Sequence, residues 1–211
     1  MLTIFKRIFS GVASGVLVSI GGCVYLLTEW KIAGAILFSV ALLSICYKGF
    51  SLFTGKVGYI AHSRTKAELS VLFTGLLGNF IGAVGAAALA CLAVPSLHET
   101  AVAVANAKIG QAFYETLFRA FFCGILMYLA VSIYKEKNSP LGIIFCIPTF
   151  ILCGFEHSIA DIFYLSAGVT FTAEYILKAL LFIVLAIIGN AVGAIFIALF
   201  DKSKETPDGK K

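Results

Sequence analysis

The chain has 211 residues, 60% of them hydrophobic and only 13% charged, with a mean hydropathy of +1.00 and a formal net charge of +5. Soluble domains are about 45–50% apolar and about 25% charged, so this composition excludes an ordinary soluble domain and places most of the chain in lipid. The positive balance requires no nucleic acid, because it collects in loops on one side of the expected membrane.

Six long apolar segments follow one another, at about 8–27, 32–60, 69–94, 112–134, 141–168 and 175–200. Each reaches the ~20 residues that a helix needs to cross about 30 Å of hydrocarbon. Backbone groups in lipid must bond within their own segment, so the segments are read as helices; a barrel would alternate in polarity instead. The first segment follows Lys6 and Arg7 but shows no small-residue cleavage site, and is expected to remain as helix 1. The second is too long for one straight crossing and is interrupted by KGFSLFTGKVGYI (48–60). The third carries LGNFIGA (77–83) and leads into a long polar connection, PSLHETAVAVANAKIGQ. The fifth is interrupted at Pro148, Gly154 and the polar run FEHSIAD, and the sixth carries IGNAVGA (188–194).

The two G-N-x-x-G-A stretches occupy similar places in the third span of each half. Small residues four apart allow helices to approach closely, which accounts for the glycines. Three spans per half would make the halves inverted copies, and two interrupted spans at corresponding places point to a central site. The expected architecture is therefore all-α and integral to the membrane: one channel domain over 1–200, with repeat halves at about 1–95 and 108–200, and a polar tail over 201–211. Lys6, Arg7, the HSRTK loop, YKEK and the tail fall on one side, so the positive-inside rule puts both termini in the cytoplasm of a multi-pass cell-membrane protein. The six cysteines are scattered through the spans without metal-like spacing and read as packing residues.

Ionisable residues within a span are costly and are a functional hypothesis by default. Glu156, His157 and Asp161 lie within six residues of one another in segment 5. Histidine titrates near neutrality, with an unperturbed pKa of about 6.5, so His157 could donate a proton or a hydrogen bond to a weak-acid anion; the plainer reading is a structural histidine joining two half-helices. Thr54 supplies a hydroxyl at the other break, free to serve an anion, His157 or the local backbone. Lys108 reads either as a snorkelling interfacial lysine or as the partner of a buried carboxylate. Phe38 and Leu42 are four apart and share one helix face. Lys48 stands in mid-segment, expected to reach a cavity or an acid, and Arg119 is expected to face a protomer interface or the interior.

GFEHSIADIF resembles the histidine-bearing signature of the formate–nitrite transporter family, LFTGK its motif on the broken second helix, and KIGQAFYETLFRAFFCGILMYLAV (108–131) the stretch running into its fourth helix. The resemblance covers all six segments in order. It implies an aquaporin-like fold, a homopentamer with one pore per protomer, and small monovalent anions (formate, nitrite, hydrosulfide, short carboxylates) as substrates, with protons as possible co-substrates and no cofactor or metal. It would set Thr54 against His157 at the pore centre and make Lys108, Glu156 and Asp161 an electrostatic relay. It would also make Leu52 and Phe150 the outer constriction, and Phe38 and Leu42 the inner one. Two features depart from the family pattern, Lys48 in the middle of segment 2 and Gly124 where asparagine is common, and many family members carry asparagine where Asp161 stands.

The leading expectation is a passive or proton-linked anion channel. The alternative keeps the fold but conducts small neutral solutes, although the Asn-Pro-Ala boxes of such channels are absent. An intramembrane enzyme would need a nucleophile–base or metal constellation that the sequence does not offer.

Overall fold

The structure, a computed structural model, describes residues 2–201; the expected polar tail lies outside the described residues beyond Asp201. Eight α-helices are described: α1 (Leu2–Leu27), α2 (Lys31–Lys48), α3 (Lys66–Ala93), α4 (Ser96–Ile109), α5 (Phe113–Lys137), α6 (Leu141–Leu152), α7 (Ser158–Ala167) and α8 (Ala173–Ala198). A short 3₁₀ turn, Val57–Ala61, lies between α2 and α3. Helices α1, α2, α3, α5 and α8 are each long and apolar enough to cross a membrane. Even α2, the shortest of the five at 18 residues, spans about 27 Å. Large apolar side chains such as Phe73, Leu89, Phe118 and Leu177 face outward, as lipid solvation allows.

Local chemistry sets the helix ends. Thr65 and Glu68 form a reciprocal capping box at the start of α3, and Thr172 Oγ1 accepts from the Tyr175 amide at the start of α8. Glycine ends α2: Gly49 has φ +68°, a conformation that costs little only without a Cβ.

Packing depends on small residues. α1 lies closely on α3 and α5 on α8. A Cβ built on Gly11 would come within 2.9 Å of Gly78 Cα, and one built on Gly124 within 2.9 Å of Asn190 Cα. The helices thus touch backbone to backbone, the close approach expected of small residues in a membrane bundle. The segment after each break crosses to the other half: α7 packs on α3, and the 3₁₀ turn packs on α8. α2 and α6 lie side by side, so the two breaks meet in the interior.

An asparagine at position 124 would collide with α8 in this packing, which explains why glycine suits this chain there. Gly124→Ala should destabilise the protein by about 1–3 kcal/mol, the usual cost of overpacking. Gly85→Ala is the control, since nothing lies within 4 Å of a Cβ at that site. Thermal unfolding in detergent measures the difference; equal midpoints for the two variants would contradict the close α5–α8 contact.

Two features differ from the sequence expectations. The polar connection after α3 contains a 14-residue helix, α4, rather than a loop. Its alanines favour helix, and Leu97, Ala101 and Ala105, four apart, are buried on one face. Lys48 reaches neither a cavity described here nor an acid: it is exposed in the last turn of α2 and makes no salt bridge among the described residues. A cation at a helix C-terminus is favoured by the exposed carbonyls there.

Candidate functional site

The two breaks are built alike. α2 stops at Gly49 and α6 just before Gly154, the two glycines with positive φ among the described residues, at +68° and +67°. In each break the next residue is phenylalanine, and its amide reaches back five residues: Phe50 N donates to Ile45 O at 3.0 Å, and Phe155 N to Phe150 O at 2.9 Å. This Schellman-type closure satisfies carbonyls that would otherwise be orphaned.

Backbone freed at membrane depth must find other partners, and one asparagine supplies them in each half. Asn79, buried in α3, accepts from Phe53 N at 2.9 Å and donates to Ser51 O at 2.8 Å and to Gly11 O of α1 at 2.9 Å. Asn190, buried in α8, accepts from Ser158 N, donates to Glu156 O and donates to Ala120 O of α5, each at 2.8 Å. These are the asparagines of the two G-N-x-x-G-A stretches. The glycines bring the helices together, and the amide between them staples the break.

The second break ends at His157, the N-cap of α7. Its Nδ1 accepts the Ala160 amide at 3.1 Å, and its Nε2 lies 2.7 Å from Thr54 Oγ1. A nitrogen that accepts cannot also carry a hydrogen, so neutral His157 bears its proton on Nε2 and donates it to Thr54. The Thr54 hydroxyl hydrogen is then free to point elsewhere. Both side chains are almost fully buried. Phe150 stacks on the imidazole, with centroids 5.6 Å apart and planes 19° apart, and Phe38 meets Phe150 edge-on at 6.3 Å.

Cavities open on both sides of this pair. One, of about 250 Å³, is lined by Phe38, Phe150, His157 and the Lys108 cluster. The other, also about 250 Å³, is lined by Leu42, Leu52, Val131, Lys56 and Lys135. The aromatic pair lines the cavity of Lys108, and the leucines line that of Lys56. The exposed Arg119 lines the Lys108 cavity.

Lys108, at the end of α4, extends into the second break. Its ammonium pairs with Glu156 Oε2 and lies 2.8 Å from Asp161 Oδ1. Gln111 Nε2 donates to Glu156 Oε1 at 2.7 Å, and Gln111 Oε1 accepts from Thr116 Oγ1 at 3.0 Å. The aromatic faces of Tyr164 and Phe182 lie 5.5 and 5.7 Å from the Lys108 nitrogen. The carboxylates are only 2% and 1% exposed, which buried acids tolerate when paired. Lys56 is the opposite case. Half-buried, it donates to Ser51 Oγ at 3.2 Å and has no carboxylate partner among the described residues.

The sequence reading missed three participants. Asn79 and Asn190 were hidden in motifs explained by their glycines, and the repeated Gly-Phe at 49–50 and 154–155 was the signal that matched the two breaks. Gln111 carried no signal, because its role depends on where α4 ends.

A fold of stapled, broken helices around buried ionisable groups is shared with known proteins. The profile of the formate/nitrite transporters matches residues 1–201, from end to end of the described chain. The chain belongs to the formate/nitrite transporter family. Among curated relatives, it is 31% identical over 143 residues to an uncharacterized transporter, YwcJ, of Bacillus subtilis, covering 61% of this chain and 56% of that protein. It is 30% identical over 195 residues to a second, YrhG, of the same organism, covering 81% and 72%. The chain thus spans between about half and three quarters of these two relatives' lengths. Among solved structures, a pentameric formate channel with formate bound superposes with a TM-score of 0.78 at 18% identity, over 94% of this chain and 96% of that one. Such a likeness establishes a shared fold, and the whole-length family match establishes membership among transporters rather than enzymes.

Proposed function

We propose that the protein is a channel for small monovalent anions of weak acids, formate foremost, with Thr54 and His157 at the centre of its path. The observation carrying this reading is the Thr54–His157 hydrogen bond between two cavities, each lined in part by apolar side chains. An ion crossing such a barrier loses water, and a desolvated charge is expensive unless a donor meets it or a proton neutralises it. Thr54 can meet it, because His157 donates to Thr54 and leaves the threonine hydrogen for the anion. Proton-linked passage needs one more step: Nδ1 must release the Ala160 amide and take up a proton before Nε2–H can be given away. Phe38 with Phe150 and Leu42 with Leu52 then act as apolar constrictions that exclude water.

The reading includes one channel domain over 1–200, in which α6 and α7 together complete a sixth crossing, with halves at about 1–95 and 108–200. It also includes an aquaporin-like inverted repeat, a homopentamer like the neighbouring formate channel, and a place in the cell membrane with both termini in the cytoplasm. Paired constrictions and a central histidine support an anion path; the two acids around Lys108 are the one observation favouring neutral solutes instead, since they offset its charge. Proteoliposomes loaded with formate, nitrite, hydrosulfide or glycerol distinguish the two. The expected result is anion flux well above that of empty vesicles and little glycerol swelling. Glycerol swelling without anion flux would overturn the proposal.

A further inference from the structure

The Lys108 cluster sets two buried carboxyl groups against one ammonium, so it would carry a net negative charge if both were ionised, at the wall of the cavity that an anion must cross. The two acids are not equivalent. Glu156 is engaged at both oxygens, by Lys108 and by Gln111, and Gln111 can only donate there because its own carbonyl is occupied by Thr116. Asp161 is engaged at Oδ1 alone; its Oδ2 is buried without a hydrogen-bond partner. An orphaned oxygen carrying part of a negative charge is far costlier than a neutral one, and two close carboxyl groups disfavour joint ionisation.

We propose that Asp161 is protonated, making the Lys108 cluster neutral, and so sets the charge that a permeating anion meets. Around it stand Lys108 on α4, Glu156 and His157 at the break, Cys123 and Arg119 on α5, Tyr164 on α7 and Tyr25 on α1. Of these, Glu156 is the acid that competes with Asp161 for Lys108, and Arg119 faces the cavity from outside the cluster. With the proton in place, the wall is neutral and Arg119 adds positive charge. With the proton lost, the wall turns negative, and a monovalent anion at a few ångströms is disfavoured by roughly tenfold to a hundredfold. The inference rests on the anion-channel reading for its consequence, but its chemistry can be tested apart from it.

Two measurements test it. Infrared spectra of the wild-type protein in membranes, with aspartate carboxyl groups carbon-13 labelled, should show a protonated aspartic-acid carbonyl band at neutral pH that disappears in alkali. Formate flux in proteoliposomes should fall by about tenfold or more over the same alkaline range, and Asp161→Asn, whose side chain cannot ionise, should abolish that fall. Absence of the labelled band at neutral pH overturns the proposal, whether or not the variant folds. An alkaline fall that persists unchanged in Asp161→Asn also overturns it. The band without any anion flux in the wild type would support the proton assignment and refute the channel reading instead.

Discussion

Lys108→Met should be the most damaging single substitution in the protein. It removes the only cation of the cluster and leaves Glu156 buried with its Gln111 contact alone. Breaking a buried ion pair from one side costs about 3–5 kcal/mol, a large fraction of the 5–15 kcal/mol by which domains are usually stable. The variant is therefore expected to give little folded protein and no flux. Adding Glu156→Gln to Lys108→Met should restore much of the stability, because the uncompensated charge goes with it. Size-exclusion profiles and thermal unfolding in detergent check both variants. If Lys108→Met is as stable as the wild type, the ammonium is not what holds the two acids in place.

The Thr54–His157 pair should dominate transport rather than folding. Thr54→Val keeps the shape but removes the hydroxyl, leaving His157 Nε2–H without its acceptor and an anion without its donor. Loss of one hydrogen bond to a charged group is worth about 1.5–3 kcal/mol, so formate flux should fall by roughly ten- to a hundredfold. His157→Asn is the companion variant. Asparagine is a good N-cap and can replace Nδ1 at the Ala160 amide, so the start of α7 should survive while the reach to Thr54 is lost. His157→Phe loses both. Formate flux in proteoliposomes should fall in both variants, with His157→Asn the better folded. Wild-type flux profiles in His157→Asn and His157→Phe would make the residue structural and leave selection to the apolar constrictions.

How much of this was legible in the sequence varied with the length scale of the signal. Membrane crossing depends on summed hydropathy over about 20 residues, so the long helices could be read directly, although α1 starts at Leu2 rather than near residue 8 because Lys6 and Arg7 lower the local hydropathy. The breaks were legible because glycine and charged residues in a lipid-spanning stretch have few explanations. Helix α4 was not, since 14 alanine-rich residues carry neither the length of a span nor a strong apolar period. That Phe38 and Phe150 line one cavity and Leu42 and Leu52 the other depends on how α2 meets α6 and the first break, which no local pattern encodes. Asn79 and Asn190 were visible as letters but not as staples, because their partners lie as far as 70 residues away in sequence.

Those two amides also bear on how the interior moves. Each binds two residues at a break, Ser51 and Phe53 or Glu156 and Ser158, and ties them to the first helix of its half, so the break cannot swing without losing three hydrogen bonds at once. Hinge and lid motions, which run over microseconds to milliseconds, are thereby opposed at the centre. An aperture opened by turning side chains would leave these bonds intact, whereas one opened by moving backbone would break them.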